Sequence, residues 1–148
     1  MEQIAFDTFA IEVPHGWADI THAVEAEGTP YTIARADGVG ALQFSVAIYK
    51  TGSVPNPTPA VLLEMIKDFG RKKGLGSPST VIAELGSPIL AAGSFSWDAD
   101  FLRVWQLSDG YNFAFVTYTC AAEDVRPELA ACEQIVRSLK FREMSQGE

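Results

Sequence analysis

The side chains of this 148-residue chain that could do chemistry are few and scattered. There are two histidines, His15 and His22, and two cysteines, Cys120 and Cys132. A metal centre draws three or four ligands from His, Cys and carboxylates at recurring spacings. No H-x-x-x-H or C-x-x-C occurs here, so no metal is expected. A Cys–His nucleophilic pair needs both groups in one cleft and a thiol that ionises easily. Cys120 closes an apolar run and Cys132 lies in a helical stripe, so both read as core residues. Without a secretory signal they are expected to be reduced, not joined in a disulfide. No serine sits in a G-x-S-x-G elbow. Gly38-Val39-Gly40 and Gly74-Leu75-Gly76 lack the rest of a phosphate-binding loop and read as turns. The residues therefore predict no catalytic group and no cofactor.

What remains is a set suited to recognition. Asp98, Asp100 and Asp109 fall in or beside two short turns, where aspartate is first of all a turn former. An Asp-x-Asp pair alone supplies too few oxygens at the wrong offsets for a calcium loop. Trp97, Trp105 and Tyr111 lie at strand ends or turns, and rigid aromatic side chains of this kind dominate protein interfaces. Trp17 is better used to cover an end of the core. Between the two turns, Arg103, Trp105 and Leu107 share one face of a strand, and Leu102, Val104 and Gln106 share the other. Either face fits the core. A Trp beside an Arg on an open face would be a binding surface, so the candidate surface is Trp97, Asp98, Asp100, Arg103, Trp105, Asp109 and Tyr111.

The elements that must carry these residues are legible from periodicity. In residues 41–49 the large apolar side chains Leu42, Phe44, Val46 and Ile48 occupy every second position, which predicts a strand with one face on a core. Thr58 can cap a helix that begins at Pro59. Leu62, Met65, Ile66 and Phe69 form its single apolar stripe. Arg71, Lys72 and Lys73 oppose the dipole at its end, and Gly74 supplies a left-handed stop. Earlier, residues 4–13 predict a hairpin or one bulged strand, and 19–24 and 31–35 predict short strands around a loop at 25–30. Later, 81–85, 93–97, 102–107 and 112–120 predict strands, the last three forming an antiparallel meander. Asp124 is placed to cap a second helix, with Pro127 in its first turn and Leu129, Cys132, Val136 and Leu139 inward. Residues 140–142 predict a last short strand, and 144–148 a frayed tail.

Strands, helix, strands, helix is the order of an α+β class: an antiparallel β-sheet with two packed α-helices. The length suits one domain over 1–148. Hydrophobic residues at 47% and charged residues at 20% exclude wholesale disorder. A net charge of −8 lacks the basic footprint of a nucleic-acid binder and leaves an acidic exterior able to meet a basic partner. No run approaches the ~18 apolar residues of a membrane helix. The N-terminus lacks the basic and apolar regions of a secretory signal, so a cytoplasmic location is expected.

Two stretches resemble a known family. Residues 9–17, Phe-Ala-Ile-Glu-Val-Pro-His-Gly-Trp, are similar to the strand followed by Pro-x-Gly-Trp that opens PsbP-like domains, a fold shared with a Ran GTPase release factor. Residues 132–141 are similar to the family's closing helix and Ile-x-x-Ser-hydrophobic-Lys-Phe. With the helix after the long strand and the late meander, the resemblance spans nearly the whole chain as an order of elements. It implies a PsbP-like fold and protein binding more often than catalysis. Bacterial relatives of this kind include immunity proteins of contact-dependent competition and chaperones that hold transmembrane segments of secreted toxins. The expectation is therefore a non-enzymatic protein-binding module, of immunity type and meeting a basic toxin. A secretion-effector chaperone is the alternative, as is a small-ligand protein or enzyme with a pocket between helix and sheet lined by Tyr31, Tyr49 or Tyr118. A homodimer is compatible with the sequence.

Overall fold

A computed structural model describes residues 1–21, 30–124 and 126–142. Two antiparallel sheets share the chain. The smaller has the order β1-β2-β10, from Glu2–Ala5, Phe9–Val13 and Lys140–Phe141. The larger has the order β3-β4-β5-β9-β8-β7-β6. Its strands are β3 (Trp17–Asp19), β4 (Tyr31–Arg35), β5 (Gly40–Ala47), β6 (Ser79–Glu84), β7 (Ile89–Trp97), β8 (Asp100–Ser108) and β9 (Phe113–Ala121).

Helix α1 (Pro59–Lys73) covers one face of the large sheet. The hydroxyl of Thr58 accepts from the backbone N–H of Val61 at 3.2 Å, and Gly74 takes φ 71° to end the helix. The predicted stripe holds: Leu62 and Ile66 are buried and Met65 and Phe69 half-buried, over Ala91, Phe95 and Val104. Gly70 completes this contact. A Cβ there would lie 2.5 Å from Phe95 Cε1 and 2.6 Å from the carbonyl oxygen of Gly76, so only glycine lets helix and strand approach this closely.

Helix α2 (Arg126–Arg137) and the small sheet cover the opposite face and build the larger core. Cys132, Ile135, Val136 and Leu139 meet Phe9, Ile11 and Val13, and both groups meet Leu42, Phe44, Trp105 and Leu107 of the large sheet. Trp17 is buried there. Phe9 stacks on Phe44 with ring centroids 5.4 Å apart.

Several boundaries move. Residues 2–13 form a hairpin, not one bulged strand. The third strand covers 17–19 and starts two residues before the expected 19; it stops at Asp19, whose carboxylate accepts from the backbone N–H of Thr21 at 2.9 Å and turns the chain there. Residues 22–24 of that expected strand, His22 among them, most of the 25–30 loop and the expected tail lie outside the described residues. Asp124 ends a 3-10 turn (Ala122–Asp124), and its expected role as a cap depends on residue 125, also outside them. The seventh strand begins at Ile89, four residues before the expected 93. No described helix is long and apolar enough to cross a membrane.

Candidate functional site

The seven expected binding residues do not form one surface. Strand β8 runs from Asp100 to Ser108, eight steps of ~3.3 Å, so its two turns lie roughly 26 Å apart. Trp97, Asp98 and Asp100 are at one end, Asp109 and Tyr111 at the other. Arg103 and Trp105, between them, are buried at 3% and 0% exposure and are corrected from partner surface to core. The physical reason is that both faces of β8 are covered: Val104 packs under α1 while Trp105 and Leu107 pack under α2.

A buried arginine must be paired. The Nε of Arg103 donates to Glu133 Oε1 at 2.5 Å, and its Nη1 donates to Ser94 Oγ at 2.8 Å and to the carbonyl of Thr80 at 3.0 Å. The indole N–H of Trp105 donates to Glu133 Oε2 at 3.1 Å. Arg137, one turn on from Glu133, donates to that same oxygen at 2.8 Å and to Glu84 Oε1 at 3.0 Å. Two cations and two carboxylates thus tie α2 to β8 and to β6. This is a structural fastening in which the buried Arg103 is paired with Glu133.

A second buried carboxylate, Glu128, fixes the start of α2. It accepts from the backbone N–H of Val39 and of Gly40, both at 3.2 Å, and from the Tyr118 hydroxyl at 3.0 Å. A Cβ on Gly38 would strike the Glu128 carboxylate, so the Gly-Val-Gly turn is needed for close approach and not for phosphate. Burial, reinforced by the neighbouring Cys120 and Glu128, pushes the Tyr118 hydroxyl well above its usual range. Burial likewise pushes the Cys132 thiol up, with Glu128 and Glu133 adding to it. Cys120 is raised by burial as well, a bond with Tyr118 opposing. Both thiols are free and buried, and thiols held protonated are poor nucleophiles. His15 is a surface residue 3.4 Å from Glu2. Among the described residues no three His, Cys or carboxylate groups gather as metal ligands would.

Tyr31, Tyr49 and Tyr118, the tyrosines that the ligand-binding alternative would draw on, have separate surroundings. Tyr31 packs against Phe6, with centroids 4.5 Å apart; Tyr118 is under α2; Tyr49 meets Tyr111 at 5.4 Å. Under α1, Phe69 packs on Phe95 and Phe115, with ring centroids 6.0 and 5.2 Å apart.

At its two ends the sheet presents different chemistry. The Asp109 end is tightly braced: its carboxylate accepts from the backbone N–H groups of Tyr111 and Asn112, and Asn112 Oδ1 accepts from the N–H of Tyr49 at 2.8 Å. At the opposite end Asp98 takes φ 53° in the two-residue turn between β7 and β8, a conformation Asp tolerates better than most residues. Trp97, just before it, is 68% exposed. The N–H of Ala122 donates to the carbonyl of Ala99 at 2.7 Å, which brings the 3-10 turn with Glu123 and Asp124 alongside. Four carboxylates therefore share one end with an exposed tryptophan. Glu123 and Asp124 were missed as partners because their approach comes from sheet pairing, Asp100 opposite Ala121.

No family model matches the chain, and no curated protein matches it in sequence. Solved structures do. The chain is similar to the solution structure of cyanobacterial PsbP (CyanoP) from Synechocystis sp. PCC 6803, with a TM-score of 0.64 at 8% identity, over 95% of this chain and 92% of that one. It is also similar to a crystal structure from Bacteroides thetaiotaomicron VPI-5482, with a TM-score of 0.59 at 13% identity, over 95% of this chain. There it spans about half the length, 46% of that chain. At such identities the likeness concerns the fold alone, which is PsbP-like, as the opening and closing motifs imply.

Proposed function

We propose that this PsbP-like α+β domain is a non-enzymatic protein-binding module, and that its partner docks on the Trp97 end of the sheet. The observation that carries the reading is an exposed tryptophan just before a two-residue turn, at the end of the sheet that also carries Asp98, Asp100, Glu123 and Asp124. A fixed aromatic offers much contact area at small entropic cost, and surrounding carboxylates steer a basic surface toward it. A chain of net charge −8 extends that attraction. A basic toxin neutralised by its immunity protein fits this chemistry better than an apolar helix held by a chaperone.

Co-expression with the product of the adjacent gene tests the reading. Trp97→Ala should weaken capture of that product by about 2–4 kcal/mol, as hot-spot truncations do, while the melting temperature stays within a degree or so. Asp98→Asn with Asp100→Asn should slow association about tenfold at low salt and leave dissociation nearly unchanged. A melting shift with a small metabolite, and no captured partner, would reverse the assignment.

A further inference from the structure

We propose that the outer edge of β6, beneath the basic rim of α1, docks an extended acidic segment of a partner protein as an added strand. Strand β6 ends the large sheet and, among the described residues, is hydrogen-bonded only to β7. Exposed edges are normally guarded by lysine, proline or cover, because their outward N–H and C=O groups accept any passing strand. This one reads Ser-Thr-Val-Ile-Ala-Glu, with no lysine or proline; its one charge, Glu84, pairs with Arg137, and its bulge lies at the start. Val81 is 46% exposed, and Leu85 beyond the strand is 81% exposed.

The bulge at its start sets where pairing can run. Register shifts between Ser79 and Ile82, Thr80 takes φ 48°, and the Thr80 carbonyl turns inward to Arg103 Nη1 at 3.0 Å. Strand addition is thereby confined to residues 81–84. Beside the first of these, Val81, lies a cavity of about 300 Å³ lined also by Lys67, Arg71, Gly76, Ser77 and Pro78.

Charge selects the occupant. Residues 59–73 hold Lys67, Arg71, Lys72 and Lys73 against Glu64 and Asp68, four cations less two anions, or +2 in a chain of −8. Lys67 and Arg71 pair with Glu64 and Asp68 one turn earlier, and such exposed pairs exchange partners at little cost. An extended segment on β6 would run past both cations, so alternating acidic and β-branched residues satisfy rim and edge together. A second copy fits poorly: pairing two β6 edges about a two-fold axis sets one basic rim beside the other.

The experiment uses a fluorescein-labelled peptide of alternating Glu and Val, seven residues long, and the same peptide with Lys for Glu. The full chain should bind the Glu peptide, with anisotropy falling as salt rises. Amide exchange at residues 81–84 should slow on binding. Lys67→Gln with Arg71→Gln should weaken binding about tenfold or more with a melting temperature lowered by no more than a few degrees, while Trp97→Ala keeps it. That last variant separates this site from the one at the Trp97 turn. Equal binding of the Lys peptide, no binding at millimolar peptide, or protection outside β6 would each overturn the proposal. So would a dimer in sedimentation that excludes the peptide, since a second copy would then own the edge.

Discussion

Glu133→Ala removes the one carboxylate shared by Arg103, Trp105 and Arg137, and its cost can be worked from the bonds it breaks. Arg103 is 3% exposed and would keep only Ser94 Oγ and the Thr80 carbonyl, both neutral. Breaking a buried ion pair from one side costs about 3–5 kcal/mol. The Glu133 side chain is 22% exposed, so water can enter and the lower end applies. Losing the acceptor of the Trp105 indole adds about 1 kcal/mol, and the Arg137 pair, nearly half exposed, adds little. The sum is about 4 kcal/mol, a large share of the 5–15 kcal/mol typical of a domain. Glu133→Gln keeps one acceptor oxygen and sets a donating NH2 against a donor at the other, so it should lose at least half as much. Arg103→Met combined with Glu133→Leu should return to within about 1 kcal/mol of the parent, because an apolar pair leaves no orphaned charge. Equilibrium urea unfolding of the parent and the three variants makes the comparison. A single-variant loss under about 1 kcal/mol, or a double variant as weak as Glu133→Ala, would refute the assignment of this quartet as a buried fastening.

Other perturbations follow from the same packing. Phe44→Ala deletes a fully buried ring stacked on Phe9 and should cost about 3–5 kcal/mol by urea titration. Gly70→Ala improves intrinsic helix propensity by about 1 kcal/mol, yet drives a methyl into Phe95 and the Gly76 carbonyl, so the variant should be net destabilised by about 1–2 kcal/mol. Cys120 and Cys132 are raised above their ordinary 9.0 and Tyr118 above 10.0. The folded state therefore holds protons that the unfolded chain releases. The contribution of these three groups should be constant below about pH 9 and lost as pH rises beyond it, and Cys132→Ala should flatten that alkaline slope in a melting series.

Most of the fold was legible where a single element declares itself. Thr58, Pro59, the Leu62–Phe69 stripe and Gly74 specify α1 by local chemistry, and the strict alternation of Leu42, Phe44 and Val46 specifies β5. Alternation fails where a strand is covered twice. Ala91 faces α1 and Ala92 faces α2, so residues 89–92 show no period of two and β7 reads short. The same double cover hid the role of Arg103 and Trp105. Their partner is Glu133, a residue that on its own helix looks like any solvated glutamate. Pairwise burial of charge is a property of two elements meeting, and no local window contains it. The Trp97 turn was visible from composition, but the acids that share its end of the sheet needed the pairing of β8 with β9.

One sheet separates two apolar layers of unequal depth, and this gives the molecule two seams. Helix α1 is held by the thinner layer, a glycine contact and its caps, whereas α2 is held by the deeper one and by both buried carboxylates. Near the midpoint of gentle denaturation, deuterium should enter the amides of residues 59–73 before those of residues 128–137. The half-opened form would bare Phe69, Phe95 and Phe115 while the far side stays shut, which makes that side of the sheet the place where clumping begins on storage.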